Sequence, residues 1–125
     1  MGLLPAIGTF ANEVVAEEAD LAACPEHLST AEAAALPLAG LTAYRALFNK
    51  GCAKKGDNVL ITGIGGGVAV YALQFAVAEG INVWVSSSSA EKIEFAKKLG
   101  AKGGINYKDR KCFCSFLSFI SLLLI

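Results

Sequence analysis

The sequence has few of the side chains that metal-dependent and nucleophilic enzymes need. Its one histidine is His27, and no C-x-x-C pair occurs among its four cysteines: Cys24, Cys52, Cys112 and Cys114. Because a zinc site takes about four ligands at a spacing that one turn can gather, we expect no metal site. The cysteines fit free thiols of a reducing compartment, which indicates the cytoplasm. No serine, cysteine or carboxylate set can be assembled around His27, so we expect it at the surface and assign no catalytic residue.

Long apolar runs are also absent, and basic residues are missing from the first part of the chain. Residues 112–125 form an apolar run of 14 residues, whereas a membrane span needs about 20. Six acidic residues and no Lys or Arg precede Arg45, and all eleven bases lie from Arg45 onward. Solvated surface is the simpler interpretation, and binding of a phosphorylated ligand is the alternative. The bases do not cluster with aromatic residues, so a nucleic-acid partner is not expected.

The first half of the sequence predicts extended chain followed by helices. Residues 8–24 carry strand-forming side chains and predict extended structure. Ser29 and Glu32 have the spacing of a helix capping box, and the helix that they open should stop or kink near Pro37. A second helix is predicted over 39–49, with Gly51 as its C′ residue. One face of that helix should carry four apolar side chains: Leu41, Tyr44, Leu47 and Phe48.

From residue 58 onward, short apolar strands alternate with helices. Strands are predicted at about 58–62, 82–85 and 104–107, and helices at about 67–79 and 89–99. Gly80 and Gly100 should end the two helices, and a second capping box, Ser88 with Glu91, should open the later one. The inner face of that helix should carry Ile93, Ala96 and Leu99. This βαβαβ order predicts an α/β fold: the first half of a doubly wound Rossmann sheet of parallel strands with right-handed crossovers.

A glycine cluster at 63–67 lies directly between the first strand and its helix. Two dinucleotide-binding registers fit, one starting at Gly63 and a preferred one with Gly66 before Ala69. In both, small residues let a pyrophosphate approach the backbone, and the helix N-terminus offers free N–H groups and partial positive charge. A glycine-rich turn without a ligand is the alternative. No Gly-Lys-Ser/Thr follows, which excludes a P-loop. The predicted cofactor-binding residues here are Gly63, Gly65, Gly66, Gly67 and Val68.

The residues after the second strand predict the phosphorylated dinucleotide, NADP(H). NAD-binding domains usually place an acid about 20 residues after the glycines, where it takes the ribose hydroxyls. Residues 83–88 contain no acid but include Ser86, Ser87 and Ser88, and Lys92 follows one turn into the next helix. Hydroxyls and an ammonium suit a 2′-phosphate. The alternative is a solvated turn with a surface lysine.

Together these segments resemble the medium-chain dehydrogenase/reductase superfamily, in its zinc-free quinone oxidoreductase-like branch. The resemblance rests on GTFANEVV (8–15), AAALPLAGLTAY (33–44), NVLITG (58–63) with the glycines, and matches at 92–93, 96–97, 99–101 and 105–107. It implies that residues 1–28 end a GroES-like catalytic domain, 29–50 form bridging helices and 51–111 begin the Rossmann domain. Residues 112–125 resemble nothing in the family, which indicates a truncated chain with an aberrant tail.

The resemblance also implies an activity and further site residues. Such enzymes transfer hydride from NADPH to a small-molecule quinone, enal or enone. The resemblance also implies that the intact protein forms a homodimer. Residues 37–42, including Thr42, resemble the bridge at the nicotinamide end of the cofactor. Tyr107 resembles the tyrosine beside the adenosine phosphate.

Three other functions remain open from the sequence. One is an NAD-dependent zinc alcohol dehydrogenase of the same superfamily, although the absence of an acid at the end of the second strand argues against it. Another is a short-chain dehydrogenase, since Thr62-Gly63-x-x-x-Gly67 partly fits its turn, but that family's Tyr-x-x-x-Lys pair is absent. The third is a catalytically inactive truncated product. We expect the 125 residues alone to be unstable or to aggregate, and to turn over no substrate.

Overall fold

The computed structural model describes residues 8–109 and the backbone of Leu123–Leu124. The chain divides into two units, one ending at Leu38 and the other beginning at Ala39. Cys112, Cys114 and all but the last strand of the predicted apolar tail lie outside the described residues.

Residues 8–28 form no β-strand, although their composition favours one. The backbone is extended at Glu17 and Leu21, on either side of a single 3₁₀ turn over Glu18–Asp20. Phe10 and Val15 are almost fully exposed, at 108% and 92%. A strand is stable only when its backbone pairs with a neighbour, and within 8–109 no strand pairs with this segment. His27 is exposed, as predicted.

Helix α1 spans Thr30–Tyr44 and begins at the predicted capping box. Ser29 donates from its hydroxyl (2.7 Å) and its backbone N–H (2.9 Å) to the Glu32 carboxylate, and the Glu32 N–H donates to the Ser29 hydroxyl at 3.3 Å. The hydroxyl bond, with the backbone bond second, lowers the pKa of Glu32. The carboxylate therefore binds the helix N-terminus in its charged form.

A stop or a kink was predicted near Pro37; the helix runs through this residue without ending, so the stop is wrong. A proline removes one backbone donor, and the alanine-rich turns on either side keep their own hydrogen bonds. After Tyr44 the chain continues as a π-helix over Arg45–Lys50. Gly51, predicted as the C′ residue, is the C-cap residue and has φ −78°; the left-handed residue is Cys52, at φ 50°.

The buried face of this helical region differs from the predicted one. Leu47 is buried as predicted, but Leu41 and Tyr44 are 62% and 51% exposed. The residues that pack inward on α1 are small, Gly40 and Ala43. Small side chains let a helix approach its neighbour closely, so side-chain size decides the contact face here more than hydrophobicity does.

The second unit contains the predicted βαβαβ order. Its elements are β1 Asn58–Ile61, α2 Gly67–Ala78, β2 Asn82–Ser87, α3 Ala90–Lys98 and β3 Gly103–Asn106. All strand pairs are parallel, with order β3-β2-β1 and a fourth strand, β4 Leu123–Leu124, beside β1. Gly80 and Gly100 follow the two helices at positive φ, as predicted. The fold class is therefore that expected from the sequence.

The fourth strand is a difference from the expected three. It pairs with β1 at Val59↔Leu123 and Leu60↔Leu124. Without β4, one edge of β1 would leave its backbone N–H and C=O groups unpaired beside buried side chains, which is unfavourable.

The core joins the sheet to the helices packed on it. Side chains from β1 and β2 pack against α2 and α3, and α3 presents Ile93 and Ala96 as predicted; Leu99 is partly buried against the same core. At Gly104 on β3, a Cβ would lie only 2.3 Å from Ile93 Cγ2. This close approach seats α3 on the sheet and fixes where its first turn meets the carboxyl ends of the strands.

Candidate functional site

The site is built on the loop that joins β1 to α2. Gly63 and Gly65 have φ of 65° and 120°, conformations that side chains other than glycine rarely adopt. Between them, Ile64 is buried, and its N–H donates to the Ser86 carbonyl at 3.0 Å. The loop is thus pinned to the end of β2, at the carboxyl edge of the sheet, where open α/β sheets bind their ligands.

The N-terminus of α2 opens directly from this loop. Gly66 is its N-cap residue with extended backbone, and this glycine makes no side-chain cap hydrogen bond. Val68 and Ala69 are partly buried against the core. An uncapped first turn leaves backbone N–H groups for an anion, and the helix dipole adds partial positive charge. Gly66 before a packed Ala69 suits the preferred register, which stays a prediction.

The serines at the end of β2 have separate roles. Ser86 and Ser87 are each 4% exposed, and successive strand residues point to opposite faces of a sheet. The Ser87 hydroxyl accepts from the Ser89 N–H at 3.2 Å. Helix α3 is capped by Ser89, whose hydroxyl accepts from the Lys92 N–H at 3.5 Å. The predicted Ser88–Glu91 capping box is therefore wrong by one residue.

Lys92 lies across the glycine loop. A Cβ built on Gly65 would be 2.8 Å from Lys92 Cδ and 3.1 Å from its Nζ. Beside this contact is an open groove of about 280 Å³, lined by Ile64, Gly65, Glu91, Lys92 and Phe95. The structure thus brings together two of the predicted site residues, Gly65 and Lys92, at the carboxyl edge of the sheet.

Two side chains of opposite charge face this groove. Within residues 8–109 the one ion pair is Lys97 with Glu94, at 2.7 Å, so Glu91 and Lys92 are not paired with each other or with another charge. From the sequence, Glu91 was predicted only as part of a helix cap, and Phe95 had no predicted role. Their i and i+4 spacing on one helix could have indicated a shared surface.

The other predicted site residues lie elsewhere around this edge. The Tyr107 N–H donates to the Ser87 carbonyl at 3.2 Å, which places this half-exposed tyrosine just after β3, next to the end of β2. Thr42 is an exposed residue of α1, and Ser88 is partly exposed before α3. None of these three lines the groove.

Known proteins that are similar to this chain indicate the family to which it belongs. No protein-family model matches the chain. A zinc-type alcohol dehydrogenase-like protein of Leptosphaeria maculans is 52% identical over 103 residues, covering 82% of this chain and 29% of that protein. A quinone oxidoreductase of Thermus thermophilus, solved also with NADPH, superposes with a TM-score of 0.82 at 31% identity, over 99% of this chain and 42% of its own. An NAD-dependent alcohol dehydrogenase gives 0.80 at 41% identity, over 86% and 32%.

The chain belongs to the medium-chain dehydrogenase/reductase superfamily. The resemblance stated from the sequence is thereby confirmed, as is the α/β Rossmann fold class. The chain spans about 30% of the length of the curated relatives that it matches first. Other curated relatives are oxidoreductases of several kinds, including a crotonyl-CoA reductase, an alcohol dehydrogenase and a quinone oxidoreductase homolog.

In residues 8–109 and 123–124 no group of three or more His, Cys, Asp or Glu side chains could hold a metal ion. Over the same residues no helix is long and apolar enough to cross a bilayer.

Proposed function

We propose that this chain binds the adenosine and pyrophosphate part of NADP(H) within an oxidoreductase that transfers hydride to a quinone, enal or enone. The observation that carries the proposal is Lys92 lying across Gly65, beside the uncapped N-terminus of α2. Relatives support a nicotinamide dinucleotide, since one neighbour is solved with NADPH and another is NAD-dependent.

The glycine loop and α2 suit the pyrophosphate. Gly63, Gly65, Gly66 and Gly67 keep the approach to the backbone free of side chains, and Val68 follows in the first turn of the helix. Two phosphate groups at this point would accept hydrogen bonds from free N–H groups and lie at the positive end of the helix dipole.

Lys92 suits the 2′-phosphate that distinguishes NADP(H) from NAD(H). Its ammonium is unpaired among the described charges and extends from the first turn of α3 toward the loop. Ser88 and Tyr107 lie along the same edge and offer hydroxyl donors. Ser86 and Ser87 are buried. Their proposed role is therefore to shape the end of the strand beside the phosphate site.

The remaining steps of the reaction are assigned by family resemblance. When bound, the nicotinamide ring supplies the hydride, and Thr42 on α1 is proposed to contact that end of the cofactor. We propose the domain limits 1–28, 29–50, 51–111 and 112–125 for the GroES-like remnant, bridging helices, Rossmann half and tail. The unit boundary at Leu38–Ala39 falls inside the bridging region. No catalytic residue is assigned.

The test compares NADPH with NADH binding to the 125-residue chain and to Lys92→Ala. A charge-assisted contact contributes roughly 1.5–3 kcal/mol, so Lys92→Ala should weaken NADPH binding about tenfold or more and leave NADH nearly unchanged. Lys98→Ala is the matched control, because Lys98 is an exposed lysine at the far end of the same helix. Titration calorimetry gives all the affinities.

The proposal fails if NADH binds more tightly than NADPH before mutation. Equal losses for both cofactors in Lys92→Ala would also contradict it, because they would place Lys92 on a phosphate that the two cofactors share. A similar loss in Lys98→Ala would indicate a general charge effect.

A further inference from the structure

We propose that Glu91 is a second determinant of cofactor choice, opposed to Lys92 in the same groove. Its carboxylate would accept from the ribose hydroxyls of NAD(H), while Lys92 pairs with the 2′-phosphate of NADP(H). The site then accepts both cofactors with a moderate preference for NADP(H). This inference rests on the proposed function and names a specificity residue that the sequence pattern did not assign.

The two side chains reach the groove from different directions. Glu91 and Lys92 are consecutive in the first turn of α3, and neighbours at i and i+1 on a helix do not face each other. Both line the groove with Gly65 and Phe95. Among residues 8–109 neither charge takes part in an ion pair. A ligand in the groove therefore meets a separate acceptor and a separate cation.

The backbone that carries these charges is held in place. Ser89 caps the helix through the Lys92 N–H. Ile93, the next residue, is buried against β3, with its Cγ2 only 2.3 Å from the Cβ position of Gly104. With the first turn fixed from both sides, Glu91 and Lys92 can adjust only by side-chain rotation. Their contributions to binding should therefore be separable by mutation.

Glu91 has the chemistry that a ribose diol requires. An ionised carboxylate accepts two hydrogen bonds and repels a phosphate dianion. In NAD-binding domains the acid usually comes about 20 residues after the glycines, whereas Glu91 comes later, on the helix rather than at the strand end. A carboxylate in the first helical turn also interacts favourably with the helix dipole. That role would affect stability, not the choice between two cofactors.

The experiment compares Glu91→Gln with the parent chain for NADH and NADPH binding, by titration calorimetry at fixed ionic strength. Removing the charge should weaken NADH about fivefold and tighten NADPH about fivefold, as for a partly exposed charge contact. The ratio of the two affinities should then change by about 25-fold. Glu94→Gln is the matched control, since Glu94 lies on the same helix, pairs with Lys97 and does not line the groove.

The outcomes distinguish a failure of this inference from a failure of the proposed function. An unchanged affinity ratio in Glu91→Gln, with both cofactors still bound, overturns this inference and leaves the proposed function standing. The same ratio change in Glu94→Gln also overturns it, because the effect would be long-range charge. If neither cofactor binds a parent chain that unfolds cooperatively, the proposed function fails and this inference fails with it. Thermal unfolding of each variant separates a loss of folding from a loss of binding.

Discussion

Gly104 controls how closely α3 sits on the sheet, so Gly104→Ala should destabilise the second unit. A Cβ there would be 2.3 Å from Ile93 Cγ2 and 3.0 Å from Val85 Cγ2. Ile93 is 6% exposed and Val85 fully buried, so neither can move into solvent. Overpacking of this kind costs about 1–3 kcal/mol, and the smaller freedom of alanine in the unfolded chain returns about 0.4–1 kcal/mol. We expect a net loss of about 1–2 kcal/mol.

A double-mutant cycle with Ile93→Ala identifies the cause. Ile93→Ala alone should cost about 2–5 kcal/mol, because it leaves a cavity in the core. In the double variant the new methyl group occupies part of that cavity, so the total loss should be smaller than the sum by about 1 kcal/mol or more. Urea unfolding followed by circular dichroism measures each value. Gly8→Ala is the control, because its Cβ would meet nothing within 4 Å.

The packing argument is refuted if Gly104→Ala is as stable as the parent chain. Additive losses in the cycle would also refute it, since they would show that Gly104 and Ile93 do not share the space. Because Ile93 follows Lys92 directly, an outward shift of α3 should also weaken NADPH binding in Gly104→Ala.

Two further predictions concern the helical region before the sheet. Cys52→Gly should raise the melting temperature, because Cys52 is exposed with φ 50° and a left-handed residue costs about 1 kcal/mol without glycine; an unchanged or lower melting temperature would contradict this. Ser29→Ala should cost about 1 kcal/mol at neutral pH through loss of the N-cap. The pKa of Glu32 is lowered from its ordinary 4.5, so its contribution is present above that pH and is lost as the pH falls through the lowered value. The difference between Ser29→Ala and parent in thermal unfolding should therefore shrink in acid, and a constant difference would count against the capping box.

The elements that could be predicted from the sequence are those set by local pattern. Apolar strands bounded by glycines gave the parallel β1, β2 and β3, and Ile93 and Ala96 fell on the buried face of α3 because helical periodicity fixed it. Gly65 was identified as part of the loop because a turn between a buried strand and a helix needs small residues. Lys92 followed from counting residues after that loop.

Features that depend on tertiary contacts could not be predicted in the same way. The continuity of α1 through Pro37 depends on the turns that flank it, and single-residue rules ignore them. The N-cap of α3 is Ser89 and not Ser88. Adjacent serines offer the same side chain, so the position at which β2 ends decides which of them caps the helix. Glu91 was missed as a groove residue, since only the packed position of α3 shows that it shares a surface with Gly65.

Some predictions stay untested by the structure. The cofactor-binding residues, the NADP(H) preference, the homodimer and the cytoplasmic location all remain expectations. So does the expectation that the 125 residues alone are unstable and turn over no substrate, which aggregation and quinone-reduction assays on the purified chain would decide. Exposed apolar side chains such as Phe10 and Val15 are consistent with self-association.

The central claim is that the glycine loop and the first turn of α3 together form a dinucleotide phosphate site. Amide NMR of the 125-residue chain during titration with adenosine 2′,5′-bisphosphate tests it most directly, since this ligand carries the ribose phosphate without the nicotinamide. The account predicts saturable shifts largest at Gly65, Gly66 and Lys92, with little change at Lys54 and Lys55 before β1, at the opposite edge of the sheet. Saturation with the largest shifts at Lys54 and Lys55, or no shift at the glycine loop, would contradict it.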